Sequence, residues 1–378
     1  MVLATLRQRP PVISIAVFDA GSSGTRVSVF AFDCEENQTE EVPSRDCALV
    51  YSSESWTSNT PLHTIKTGSA DSPLPSLARQ IRSSFSSIDV VYLGATGGVR
   101  QLNKKEKKAL IAESNQRLSE TFNEPPSFLS LIFSPPSLPP EVVSEVVDDH
   151  IEAKWLQDAA KVLGALGVVV EVGGASTQVA YTPIEIQEHQ SLIQFLYRKI
   201  RRGLFGRTPK LISLEIGTNS QEVTEVNGDK RSSIGNAVKS SFDQVKGTVI
   251  NAFTVPLEIP DRYLVSGAYH IAKDLGLPLE GKVTVGSLTD AVDTECEKVV
   301  ESEATKLCLR GIFIEALLLH VLKLKPEHEV MFTKSVDVPG VGTVNLGWPL
   351  GAALHMAKKV FKTRDKTKMG SKNKIKNH

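Results

Sequence analysis

Two acid-then-glycine stretches, each closing a β-branched run, restrict this chain more than any other feature. The first is Val17-Phe18-Asp19-Ala20-Gly21-Ser22-Ser23-Gly24-Thr25-Arg26, after a run from Val12 to Phe18. The second is Val170-Glu171-Val172-Gly173-Gly174-Ala175-Ser176-Thr177-Gln178. Glycine lets backbone amides approach an anion because no Cβ blocks them, and it tolerates positive φ. Serine and threonine add hydroxyl donors. The acids cannot bind phosphate themselves; Asp19 and Glu171 are instead suited to Mg²⁺ or Ca²⁺, held through the ion's own waters. Either stretch alone reads equally well as a small-residue hairpin turn. The pair points to a phosphate chain gripped from two sides.

Length and charge narrow the class. At 378 residues the chain has material for two domains. Forty-three basic residues balance 43 acidic ones, which argues against nucleic acid as a partner. No uninterrupted apolar run approaches the ~20 residues of a membrane span. Met1 to Pro11 carries two arginines and no apolar core, so no export signal is visible; the expectation is a chain that stays inside or one whose start is incomplete. Four cysteines, Cys34 with Cys47 and Cys296 with Cys308, flank two short stretches and fit two local bridges or four free thiols.

The element reading is α/β. Val12 to Phe32 reads as a hairpin with the first loop at its tip, and Asp89 to Leu93 as a strand running into Gly94-Ala95-Thr96-Gly97-Gly98-Val99-Arg100. Helices are expected at Ser76 to Ser87 and Lys104 to Thr121, followed by a proline-rich stretch from Glu124 to Pro140. Val143, Val147, Ile151, Trp155 and Ala159 recur every four residues, which predicts one long helix from Glu141 to Gly164. Leu166 to Val172 and Val179 to Tyr181 form the second hairpin. Further helices are expected at Ser191 to Leu204, Ile234 to Val249, Ala304 to Leu324 and Leu350 to about Lys362, with a strand at Gly342 to Leu346. The lysine-rich end, residues 365–378, reads as a disordered basic tail.

Asp19 to Arg26, Leu93 to Arg100 and Gly173 to Gln178 resemble, in order and spacing, the first, second and fourth apyrase regions of the GDA1/CD39 nucleoside phosphatases. Tyr263-Leu264-Val265-Ser266-Gly267-Ala268-Tyr269 is similar to the family's nucleobase segment, and Trp348-Pro349-Leu350-Gly351-Ala352-Ala353 to its closing motif. The resemblance implies an actin-like ATPase fold of two RNase H-like lobes facing each other across a nucleotide. The lobes would be residues 11–145 with 345–364, and 146–344. It implies stepwise hydrolysis of nucleoside tri- and diphosphates by in-line attack of water, with a divalent cation. The phosphate would be held by Gly21, Ser22, Ser23, Gly24 and Thr25 from one lobe and by Gly173, Gly174, Ala175 and Ser176 from the other. Thr96, beside Gly97, would donate to phosphoryl oxygens; Ser176 and Gln178 would orient the water. Arg26 either neutralises phosphate or braces its lobe through a carboxylate. Tyr269 is the first choice for stacking on the base, with Tyr263 nearby.

The chain departs from the family at the third region. The family's Glu-Glu-Gly is absent, and Val143-Ser144-Glu145-Val146-Val147-Asp148-Asp149-His150 stands there instead. Counting from Trp155 sets Asp149 and His150 against the two glutamates, and one insertion sets Asp148 and Asp149 there. Asp149 is the expected general base. Asp148 and Glu145 are further candidates, and an ordinary solvated acidic helix start is the plain alternative. The fifth region is reduced to Leu214-Glu215-Ile216-Gly217-Thr218. Two rival functions remain: an exopolyphosphatase or guanosine pentaphosphatase, and a nucleotide-binding module that has lost its base.

Overall fold

A computed structural model describes residues 12–37, 44–124, 139–165, 167–182, 210–214, 217–220, 223, 229–249, 262–298 and 302–375. The chain divides into two compact units. One holds the residues up to Asp148 with Asp337–Asn345 and the segment from Pro349 on; the other holds Asp149–Val336 with Leu346–Trp348.

The first unit is built on β1 (Ile13–Gly21), β2 (Gly24–Asn37), β3 (Ser44–Ser52), β4 (Trp56–Ser58), β5 (Val90–Ala95) and β6 (Glu141–Val146). The sheet order is β3-β2-β1-β5-β6, with β4 paired to the loop end of β2. β1, β2 and β3 are antiparallel neighbours; β5 and β6 join in parallel. Helices α1 (Leu74–Ser84), α2 (Gly97–Arg100) and α3 (Lys104–Asn123) accompany the sheet. The apolar residues Leu74, Leu77, Ala78 and Ile81 recur at helical spacing along α1 and are buried with Phe18, Val29, Leu93, Leu110 and Leu118. α3 starts on a capping box: Asn103 Oδ1 accepts the amides of Lys105 and Glu106, and Glu106 returns a carboxylate to the Asn103 amide at 3.1 Å.

The second unit repeats the plan. β7 (Gly167–Val172), β8 (Thr177–Thr182) and β9 (Lys210–Leu214) are antiparallel neighbours, while β10 (Arg262–Ser266) joins β7 in parallel. β12 (Glu329–Phe332) extends the sheet beyond β10, and the short β11 (Val283–Thr284) closes the edge. Its helices are α4 (Asp149–Val162), α5 (Lys230–Val249), α6 (Gly267–Asp274), α7 (Val285–Glu297) and α8 (Ser302–Ala316), the last continuing as a π-turn over Leu317–Val321. β7 is paired on both sides and buried along its length, which suits its Gly-Val-Val-Val-Glu-Val sequence. A hairpin of β13 (Ser335–Val338) and β14 (Gly342–Asn345) then leads to α9 (Trp348–Ile375).

Two sequence expectations are corrected. Glu141 to Gly164 is not one helix: residues 141–146 form β6, and α4 begins only at Asp149. Val142, Val143 and Val146 favour a strand once β5 offers an open edge, an outcome the four-residue spacing cannot distinguish. The terminal helix also runs past Lys362 to Ile375, so most of the lysine-rich end is helical rather than a disordered tail. Lysine is a good helix former, and no proline interrupts the segment. The expected helix at Ser191 to Leu204 and most of the proline-rich stretch lie outside the described residues.

Both cysteine pairs are bonded, Cys34 to Cys47 and Cys296 to Cys308. Cys34 and Cys47 face each other across β2 and β3; the second bridge joins α7 to α8. Among the described residues no helix is long and apolar enough to cross a membrane.

Candidate functional site

In the first unit, β1 and β2 leave only Ser22 and Ser23 unpaired, because Gly21 is opposite Gly24 and Asp19 opposite Arg26. Gly24 has φ +152°, and a Cβ there would lie 2.4 Å from the Ser58 carbonyl of β4. The residue is fixed as glycine by backbone on the neighbouring strand. Gly21 has more room. The point where its Cβ would stand is 3.9 Å from Asp19 Oδ1 and 4.0 Å from Thr96 Oγ1, so the turn, the carboxylate and the hydroxyl converge there.

Asp19 is largely buried, and burial pushes its carboxyl up to about 6, with the Arg26 guanidinium 3.9 Å away pulling in the opposite direction. Arg26 is half exposed, so this contact leaves guanidinium surface available. Thr96 follows β5, which runs beside β1, and is itself buried. Its amide donates to the Ala20 carbonyl at 3.1 Å, and its own carbonyl accepts the amides of Val99 and Arg100. Arg100 Nη1 in turn donates to the Val147 carbonyl at 3.0 Å.

The second unit carries the same device in the same register. Glu171 is opposite Gln178 and Val172 opposite Thr177, so Gly173-Gly174-Ala175-Ser176 takes the place of Gly21-Ser22-Ser23-Gly24. Gly173 and Ser176 close the turn with an amide-to-carbonyl bond of 2.9 Å. The buried Gln178 Nε2 donates to the buried Ser176 Oγ at 3.0 Å. Glu171 is buried, and its Oε2 accepts the Trp348 amide at the start of α9, where the helix dipole favours a carboxylate. Trp348 stacks on Trp155, as a core residue does, with ring centroids 5.9 Å apart.

The sequence reading gave the Gly217 turn no role at this loop. The Thr218 amide donates to the Gly173 carbonyl at 3.1 Å and the Asn219 amide to the Gly174 carbonyl at 2.8 Å. A Cβ on Gly217 would stand 2.6 to 2.8 Å from Gly173 O, Gly174 C and Ala175 N. A second loop therefore braces the first, and only glycine permits the approach. The signal was a glycine just past a strand, followed by hydroxyl and amide residues.

The third-region acids are dispersed. Glu145 is on β6 opposite Gly94, not one helical turn before Asp149, and its Oε1 accepts the hydroxyl of buried Tyr92 at 2.8 Å. Burial, then the charge and hydrogen bond of Glu145, hold that phenol far above its ordinary titration range. Asp149 is the first residue of α4, and its Oδ1 accepts the His150 amide at 2.9 Å. Asp148 is exposed and ends the first unit, so these candidates straddle the division.

Tyr269 is half-buried in the first turn of α6, its ring edge-on to His270 at 5.3 Å. α6 starts where β10 ends, and Gly267 packs so closely on the Val172 carbonyl that a Cβ would be 2.6 Å from it. Tyr263 is mid-strand on β10 between β7 and β12, away from the strand end that carries the loop.

The donors suit a hard cation. Each loop stem supplies a carboxylate, partly buried at Asp19 and buried at Glu171, and among the described residues no group of three or more His, Cys, Asp or Glu could hold a metal ion. Either carboxylate, taken by itself, offers the hard oxygen donor that Mg²⁺ or Ca²⁺ accepts.

No family model matches the chain, and no curated protein matches it. Solved structures do. A Ppx/GppA family member from Aquifex aeolicus is 15% identical, with 92% of this chain and 99% of that one covered at a TM-score of 0.53. The chain has the actin-like ATPase fold. It is likewise similar to an exopolyphosphatase-like protein (15% identity, 93% and 100% covered, TM-score 0.54) and to a nucleoside triphosphate hydrolase from Neospora caninum (15%, 91% and 92%, 0.51). Both units follow one strand plan in this fold, with a glycine turn at the end of β1 and again at the end of β7.

Proposed function

We propose that the chain is a divalent-cation-dependent phosphohydrolase that cleaves the terminal anhydride of a phosphate chain by in-line attack of water. The observation that carries this reading is the repetition of one acid-glycine hairpin, residue for residue in register, in both units. A single small-residue turn has a bland explanation; two with an acid at the same position and an adjacent hydroxyl or amide do not.

In this reading Gly21, Ser22, Ser23, Gly24 and Thr25, with Gly97, and Gly173, Gly174, Ala175 and Ser176 donate to phosphate oxygens. Thr96 adds a hydroxyl, and Gln178 holds Ser176 ready to orient water. Asp19 and Glu171 would be the residues to hold Mg²⁺ or Ca²⁺, and the cation would neutralise phosphate charge. Asp149 accepts the proton, with Asp148 and Glu145 as the other candidate bases.

Two substrate classes fit. The motif resemblance supports nucleoside tri- and diphosphates, as does the name of the Neospora caninum protein. Linear polyphosphate is supported by the name of the exopolyphosphatase-like neighbour. Phosphate release from ATP, UDP, GDP and polyphosphate, with and without divalent cation, tests the proposal. Tight ATP binding without release under any cation would instead mark a binding module that has lost catalysis.

A further inference from the structure

The stretch from Ser58 to Thr64 bears on both turns of the first unit. Its Ser58 carbonyl is the group that forbids a Cβ on Gly24, and its Thr60 carbonyl accepts from buried Thr25 Oγ1 at 3.4 Å. His63, on the single 3₁₀ turn Leu62–Thr64, meets the other turn. A Cβ on Gly98 would lie 2.4 Å from His63 Nδ1, 2.6 Å from Cε1 and 3.0 Å from Cγ. The imidazole therefore occupies the notch that Gly98 leaves.

Gly98 is two residues beyond Thr96, within the tight turn whose first carbonyl, that of Thr96, accepts from Val99 and Arg100. A ring seated against Gly98 thus acts on Thr96 through a short, hydrogen-bonded length of backbone. Filling the notch needs no polar atom, yet His63 Nδ1 is buried there without a hydrogen-bond partner. An apolar residue would avoid that cost. Burial lowers the affinity of the ring for a proton, which keeps it neutral against the turn.

We propose that His63 is a positioning residue, its ring locked into Gly98 so that the Thr96 hydroxyl is held at a fixed place beside Asp19. The role rests on the phosphohydrolase reading of the site. It adds a residue that touches no phosphate but sets the geometry of one that does, through a fit that only glycine at position 98 allows.

A double-mutant cycle tests it. His63→Ala is expected to lower kcat for phosphate release at least ~10-fold with KM changed less than ~2-fold, and His63→Asn to recover most of that loss. Gly98→Ala should cost a similar factor. The double variant should be no worse than the poorer single one, because the two changes disrupt one fit. Backbone amide NMR shifts of Thr96 and Gly97 supply a readout independent of turnover: they should move in His63→Ala and return towards wild type in His63→Asn. Where wild type neither binds nor hydrolyses ATP or polyphosphate, the functional reading fails, and the amide shifts alone still decide the positioning. Losses that simply multiply in the double variant, or Thr96 and Gly97 shifts unchanged in folded His63→Ala, would overturn the proposal.

Discussion

Tyr92 donates its hydroxyl to Glu145 Oε1 at 2.8 Å across two parallel strands, with Tyr92 fully buried and Glu145 exposed. The contact ties Glu145, one of the candidate bases, to the neighbouring strand. Removing that contact by Tyr92→Phe should cost about 1.5 to 3 kcal/mol in urea unfolding, the range for a hydrogen bond to a charged group. Replacing the acids one at a time then identifies the base. Asp149→Asn is expected to lower kcat ~10²-fold or more with nucleotide binding retained. Loss of turnover in Glu145→Gln and not in Asp149→Asn would move the role to Glu145.

The two glycines of the first turn should separate stability from function. Gly24→Ala drives a methyl into the Ser58 carbonyl and should destabilise the fold by about 1 to 3 kcal/mol. Gly21→Ala meets nothing closer than 3.6 Å, so its free energy of unfolding should stay within about 0.5 kcal/mol of wild type. Its new methyl intrudes between Asp19 and Thr96, however, and phosphate release should fall ~10-fold or more.

Asp19 sets a pH dependence whose sign follows from its raised pKa. A carboxyl that titrates near 3.8 when unfolded and near 6 when folded holds its proton more tightly in the native state. With chelator present, its contribution to stability is therefore complete below about pH 4 and is lost as pH rises through 6. Asp19→Asn lacks this penalty. The variant should match wild type in acid and exceed it above pH 6, by an amount on the order of 2 to 3 kcal/mol. Added Mg²⁺ should narrow the gap by stabilising the ionised wild-type carboxylate. Thermal melts at pH 4, 6 and 8 check each part; a gap that widens in acid would contradict the assignment.

Gln178→Ala removes the donor to Ser176 Oγ inside a buried pair. Stability should fall by about 1 to 2 kcal/mol, and kcat by ~10²-fold if the pair orients the attacking water. Phosphate release measured beside urea melts separates the two effects. A kcat that falls only as far as the folded fraction would leave Gln178 a structural role alone.

How much the residues disclosed depended on how local each cause was. The two hairpins were legible because acid, glycine and hydroxyl recur at fixed offsets and the flanking runs are β-branched. α3 was expected at Lys104 to Thr121 and is found at Lys104–Asn123. The strand at Glu141–Val146 was hidden, since a four-residue apolar spacing tolerates either period and the deciding factor, the free edge of β5, lies far along the chain. Gly217 and His63 escaped for the same reason. Each packs on a loop distant in sequence, Gly217 standing only in the remnant of the fifth region and His63 in no motif; both became visible only when the neighbour of a missing Cβ could be named.

The matched registers of the two hairpins have a practical use. Asp19 answers to Glu171, Arg26 to Gln178 and Gly24 to Ser176, so every change made in one hairpin has a ready counterpart in the other. Swapping such residues between the halves turns the molecule into its own reference, in which whatever fails to transfer is what each half does alone.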